Sequence, residues 1–141
     1  MSTHAILTAR LGPRHFRSIT VLSDGYVEHC GKMLVGHFTD AAKIKALMEL
    51  GNVVYLRDSI LPVAGHSYET FRQNPEHTLF MGRDMGRTEQ ESVYGPTAYQ
   101  SILRLCYRTD YYYLWQDGQW TVNGSPVADV LAELELENKE L

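Results

Sequence analysis

Asp117-Gly118 is the feature that most limits how this chain can fold. It sits between two aromatic segments, Tyr111-Tyr112-Tyr113-Leu114-Trp115-Gln116 and Gln119-Trp120-Thr121-Val122. An Asp-Gly pair between alternating apolar residues predicts a two-residue β-hairpin with a type I′ turn, because both turn positions need positive φ. A tight hairpin requires antiparallel pairing. On its first strand Tyr111 and Tyr113 share one face, and Tyr112 points to the other.

The rest of the pattern mixes strands and helices. His4–Arg10 reads as a strand, Leu11-Gly12-Pro13-Arg14 as a turn, and His15–Leu22 as a second strand. Val27, Cys30, Leu34 and Phe38 recur at helical spacing. Thr39 reads as the N-cap of a helix Ala41–Leu50, with Ile44, Leu47 and Met48 on one face and Gly51 after its end. Val53–Leu56 reads as a buried strand, Arg57–Pro75 as a long irregular loop and His77–Met81 as another strand. Gly82–Arg87 is a turn, and Thr88–Pro96 is polar and reads as mobile. Thr97–Tyr107 favours a helix over a strand. Val127–Leu136 is a helix packing through Val127, Val130, Leu131 and Leu134 and fraying at its end. This mixed order with hairpins predicts an α+β fold with a largely antiparallel sheet. At 141 residues the chain fits a single domain, 1–141, whose residues 132–141 form an acidic helix end or tail.

Charge limits the partners. Ala128–Leu141 holds Asp129, Glu133, Glu135, Glu137 and Glu140 against Lys139, which accounts for the whole net charge of −4. The remaining body is neutral, which argues against extended nucleic acid, since that needs many phosphate contacts. It leaves room for a small anion held by a few arginines. Arginine supplies nine of the thirteen basic residues, and its planar fork suits phosphate. No apolar run is long enough to span a bilayer, and the N-terminus lacks a signal-peptide pattern. Only two cysteines occur, Cys30 and Cys106. Both have apolar neighbours and are expected to be buried, reduced thiols, which fits a cytoplasmic location.

Catalytic motifs are missing from the sequence. It has no HExxH, no GxSxG and no GxxxxGK[ST], and the six histidines show no metal-ligand spacing. The expectation is a non-enzymatic protein without cofactor or metal. Gly82-Arg83-Asp84-Met85-Gly86-Arg87 reads in two ways. Its glycines and arginines could cradle an anion. Alternatively it is a surface turn held by Arg83–Asp84 and Arg87–Glu91 charge pairs. On the first reading Phe80 or Tyr94 stacks on a base, and Arg57, Arg83 and Arg87 hold phosphates. Alternation along His77–Met81 would give the core Leu79 and Met81 and leave Phe80 facing the ligand. Arg83→Ala would then weaken binding and spare stability. The surplus of aromatic residues also predicts a homo-oligomer.

Several of these segments resemble a pattern common in small proteins encoded by phages and prophages. In that pattern a strand ends in an Asp-Gly-Tyr turn and runs into a Gly-Lys-x-Leu helix, as Leu22-Ser23-Asp24-Gly25-Tyr26-Val27-Glu28-His29-Cys30-Gly31-Lys32-Met33-Leu34 does here. A second helix ends in Leu-Gly, matched by Leu50-Gly51. Arg83-Asp84-Met85-Gly86 matches an Arg-Asp-x-Gly segment, and Tyr113–Trp120 matches an aromatic Asp-Gly-x-Trp hairpin. The likeness covers most of residues 15–122 in order. Ser23 departs from it, standing where an aromatic is often found. One class similar in size and architecture is the Thoeris anti-defence proteins, which sequester cyclic nucleotide signals. The resemblance implies a counter-defence protein in an infected bacterial cytoplasm, holding a cyclic or ADP-ribose-derived nucleotide without hydrolysing it. The rival expectation is a protein-binding inhibitor of a host defence enzyme, whose Glu133, Glu135, Glu137 and Glu140 mimic nucleic-acid phosphates.

Overall fold

Ala5–Gly12 (β1) and His15–Ser23 (β2), each with a run of consecutive buried residues, build the centre of the fold. In the computed structural model, which describes residues 3–87, 91–106 and 108–140, these two strands form an antiparallel hairpin. The chain then winds through a π-helical turn, Val27–Gly31, into α1 (Lys32–His37) and α2 (Ala41–Leu50). β3 (Val53–Tyr55) returns parallel to the end of β2, and β4 (Leu79–Phe80) pairs antiparallel with β3. β5 (Val93–Gly95) pairs with the start of β2 and leads into α3 (Ala98–Arg104). β6 (Tyr112–Gln116) lies parallel to β1. β7 (Gln119–Val122), β8 (Ser125–Pro126) and α4 (Val127–Glu140) complete the order. The sheet runs β4-β3-β2-β1-β6-β7-β8, mostly antiparallel, with β5 also on β2, so the fold is α+β. Among the described residues no helix is long and apolar enough to cross a membrane.

The Asp117-Gly118 hairpin forms as its turn chemistry requires, with φ of 55° and 72° at the two positions. One face of the sheet carries Leu7, Ile19, Val21, Tyr113, Trp115 and Trp120. These pack against Cys30, Leu34, Phe38, the Ile44–Leu47–Met48 face of α2, and Val127 of α4. α3 covers part of the opposite face, where a chain of buried hydroxyls joins Thr8 to Ser18 and Ser18 to Ser101, each contact 2.7 Å. Further along that face Val54, Phe71, Leu79 and Met81 form a second, smaller cluster.

The structure corrects several expectations. Asp40, not Thr39, caps α2, its carboxylate accepting from the Ala42 amide at 3.3 Å. The expected His77–Met81 strand shrinks to Leu79–Phe80, and the polar stretch before Pro96 contains the paired strand β5, while residues 88–90 lie outside the described set. α4 stays helical through Glu140 instead of fraying near Leu136. Phe80 is fully buried in the main core, and Leu79 and Met81 occupy the second cluster. Both faces of the sheet are covered at this point, so no residue of β4 is left free to face a ligand.

The two cysteines also part company. Cys30 is fully buried, and burial pushes its thiol well above the ordinary range, against a smaller opposing effect of its hydrogen bond with Tyr113. Cys106 lies just past α3 with φ of 51° and is exposed. The native protein is expected to show one rapidly reacting thiol in a titration with a chromogenic disulfide, and none after Cys106→Ser. Two fast thiols in the parent would contradict the buried position of Cys30.

Candidate functional site

The parallel pairing of β2 and β3 brings two loops to one end of the sheet. The register matches Val21 to Val53 and Ser23 to Tyr55, so Asp24 and Arg57 emerge side by side. The two exits then diverge. The chain leaving β2 enters the helices of the main core, and the chain leaving β3 enters the loop that carries Phe71 to the second cluster. Diverging exits at the carboxyl ends of adjacent parallel strands open a crevice. A register shift in the β3–β4 pairing falls between Val53 and Tyr55. Such a bulge re-aims side chains, and Tyr55 joins the second cluster instead of following Val53 into the main core.

The resulting cleft has a volume of about 280 Å³ and is lined by Asp24, Tyr55, Arg57, Phe71, Arg72, Pro75 and His77. Tyr55 and Phe71 stack with centroids 4.4 Å apart and planes 15° from parallel. Each ring carries an arginine. The Arg57 guanidinium carbon is 5.3 Å from the Tyr55 centroid, and that of Arg72 is 5.1 Å from the Phe71 centroid. Arg57 is held firmly. Its amide donates to Thr78 Oγ1 at 2.9 Å, the Thr78 hydroxyl donates back to the Arg57 carbonyl at 3.0 Å, and its Nη1 donates to His29 Nε2 at 3.1 Å and to the Leu56 carbonyl at 2.9 Å. Because His29 Nε2 accepts, its proton sits on Nδ1. Among the described residues Nε and Nη2 of Arg57 have no acceptor, and Arg72 has no ion pair.

His77 forms part of the wall. Its Nδ1 lies 3.3 Å from the Leu61 carbonyl and donates to it, since a carbonyl only accepts. Behind it the rings of His66 and His77 meet with centroids 6.5 Å apart. His66 is buried, and neither of its ring nitrogens has a hydrogen-bond partner. Among the described residues no group of three or more His, Cys, Asp or Glu side chains is placed to hold a metal.

Of the five residues expected to bind a ligand, only Arg57 lines this cleft. Phe80 is in the core beneath Arg83. Arg83 is committed to a structural network: its Nε donates to Asp84 Oδ1 at 2.9 Å and its Nη1 to the Ile60 carbonyl at 2.7 Å. The Gly82–Arg87 segment is therefore the charge-paired turn, at least at Arg83–Asp84, and not an open cradle. Arg87 is exposed, and its amide donates to the Met81 carbonyl. Tyr94 stands on β5 opposite Arg17, with its ring against His15 at 4.9 Å. Tyr55 pairs six residues further along β2, so Tyr94 lies roughly 20 Å from the cleft at the usual strand rise. Sequence reasoning missed Asp24, Tyr55, Phe71, Arg72 and His77. Phe71-Arg72, an aromatic next to an arginine inside the irregular loop, was the available signal.

A larger concavity of about 1580 Å³ runs past α3, between Tyr99 and Leu103 on one side and His4 and Tyr112 on the other. Part of its polar lining is used internally: the Thr109 hydroxyl donates to the His4 carbonyl and the Thr109 amide to the Tyr112 hydroxyl. The smaller cleft, with two cations backed by aromatic rings, has the stronger chemistry. The chain matches no protein-family model, no curated protein and no solved structure.

Proposed function

We propose that this protein is a non-enzymatic binder of a small phosphate-bearing nucleotide, held at the Arg57–Arg72 cleft and sequestered there. One observation carries the reading: two guanidinium groups, each laid on an aromatic ring, line one cleft of about 280 Å³. A guanidinium backed by a ring keeps its N–H edge for an anion, and that edge matches phosphate. The volume lies just below the usual range of ligand pockets, which starts at about 300 Å³. It takes a phosphate with its sugar, and the remainder of a cyclic or ADP-ribose-derived signal would lie over the rim. In the phage setting implied by the sequence resemblance, such binding would withdraw an immune signal from its receptor. Self-association belongs to the same proposal, and Tyr99 and Leu103 on α3, 70% and 54% exposed, support it.

Calorimetric titration with AMP, ADP-ribose and a cyclic dinucleotide tests this reading. A charge-assisted Arg–phosphate bond contributes about 1.5–3 kcal/mol, so Arg57→Ala and Arg72→Ala should each weaken binding by about tenfold to a hundredfold. Arg72 is exposed, so its removal should leave the melting temperature unchanged. Ligand recovered intact after heat denaturation of the complex supports sequestration, and degradation products would contradict it. Parent-like affinity in both variants would overturn the site.

A second reading, inhibition of a partner protein through α4, draws on the exposure of Glu133, Glu135 and Glu137 together with Leu136, which is 61% exposed. Glu133, Leu136 and Glu137 share one side of the helix, and an acidic face with one apolar residue suits a basic protein groove.

A further inference from the structure

A cleft built from two arginines alone would accept any small anion. This one also contains a carboxylate. Asp24 lines the same cleft as Arg57 and Arg72, yet it has no ion pair within 4.0 Å and no hydrogen bond among the described residues. A carboxylate here repels a bare phosphate or sulfate. It is compensated only by a ligand that brings donors, because an ionised carboxylate can only accept hydrogen bonds.

Asp24 is also held where it is. Its φ of 59° is in the left-handed region, which Asp tolerates better than most residues. The next residue cannot shift. The Gly25 amide donates to the Thr3 carbonyl at 2.8 Å, and the Gly25 carbonyl accepts from the Tyr113 hydroxyl at 2.8 Å. A Cβ at Gly25 would lie 2.7 Å from the His4 carbonyl carbon, so the turn is wedged against β1. An acceptor on a pinned backbone thus stands in the same cleft as two guanidinium donors, with the Tyr55–Phe71 pair as an apolar wall.

We infer that the cleft selects phosphate esters that carry neighbouring free hydroxyls, a ribonucleotide with an intact 2′,3′-diol, and that Asp24 accepts from that diol while Arg57 and Arg72 hold the phosphate. This rests on the phosphate-binding reading above and adds the class of ligand. A diol offers two O–H donors at the spacing of one carboxylate, and its carbon face can rest on a ring. The same arrangement disfavours inorganic phosphate and deoxygenated sugars.

The test compares AMP, 2′,3′-dideoxy-AMP and inorganic phosphate by calorimetry on the parent, Asp24→Asn and Asp24→Gly. Asn and Gly both accept positive φ, so both variants should fold, and a thermal melt checks this. The parent is expected to prefer AMP over the dideoxy analogue by about tenfold or more, as for hydrogen bonds to a charged group. Asp24→Gly should lose that preference, Asp24→Asn, which keeps one neutral acceptor, should weaken it, and both should bind inorganic phosphate at least as well as the parent does. Arg72→Ala should weaken all three probes together. If the parent binds AMP and its dideoxy analogue equally, the role given to Asp24 is overturned and phosphate binding stands. If the parent binds none of the three, phosphate binding itself is wrong and this inference goes with it.

Discussion

Arg83→Ala is expected to lower stability by about 3 kcal/mol, the near end of the range for removing one partner of a buried ion pair. For a chain of this size that is a fall of roughly 10 °C in melting temperature. The Asp84 side chain is only 5% exposed, and Arg83 meets it through Nε at 2.9 Å and Nη2 at 3.3 Å. The same guanidinium donates to the Ile60 carbonyl and lies 4.8 Å over the Phe80 ring. Removing it leaves a buried carboxylate without its counter-charge and a carbonyl without its donor. Asp84 Oδ2 still accepts from the Phe80 amide at 2.8 Å, which keeps the loss at the lower end. Arg83→Lys should recover only part of it, because an ammonium cannot bridge both oxygens and reach Ile60. Arg83 does not line the cleft, so ligand affinity of the folded variant should match the parent. A melting temperature within 2 °C or so of the parent would contradict the network, since even 1 kcal/mol shifts it by about 3 °C.

Gly95→Ala should be comparably damaging for a different reason. Gly95 pairs with Phe16 on β2 while the first turns of α3 pass directly over it. A Cβ there would lie 2.4 Å from the Ser101 amide nitrogen and 2.9 Å from the Gln100 carbonyl carbon. These are backbone atoms, so no side chain can swing aside. Relief requires α3 to lift from the sheet, which would break the 2.7 Å contact between Ser18 and Ser101 and expose a buried hydroxyl. Overpacking of this kind costs about 1–3 kcal/mol and sometimes more, and the backbone clash points to about 3. Gly36→Ala is the control. Nothing lies within 4 Å of the added carbon, and a helical Ala replaces a helical Gly, so that variant should equal or exceed the parent in stability. Chemical denaturation of the three proteins measures both claims. Equal midpoints for Gly95→Ala and the parent would show that α3 yields freely.

Local chemistry was legible in the residues, and long-range placement was not. Asp117-Gly118 announced its hairpin because the turn's φ requirement is met by two adjacent residues. α2 was readable from Ile44, Leu47, Met48 and Gly51 for the same reason. Val27, Cys30 and Leu34 are buried as their spacing indicated, but a π-wound start keeps nearly the same face as an α-helical one, so the difference leaves no trace in the pattern. Alternation at Phe80 revealed that two faces differ and not which face meets which layer. Cys106 had apolar neighbours in sequence, yet its backbone turns left-handed at the end of α3 and puts it outside. Within the cleft, only the charge of Arg57 was visible in advance. Its partners come from three separate segments, and a bulge in β3 decides where Tyr55 points.

The parallel contact between β1 and β6 has a consequence for the ribosome-bound chain. β1 and β2 are adjacent and can zip together as soon as both have emerged. The other edge of β1 must wait for Tyr112–Trp115, which arrive about a hundred residues later. Until then Ile6, Leu7 and Ala9 present unpaired amides and carbonyls beside apolar side chains, the kind of edge that recruits other chains. Conditions that slow translation through the middle of the message, or deletions that remove the last thirty or so residues, prolong that exposed interval. The Tyr112–Val122 hairpin therefore acts as the closing clasp of a sheet whose first half stays open until those residues emerge.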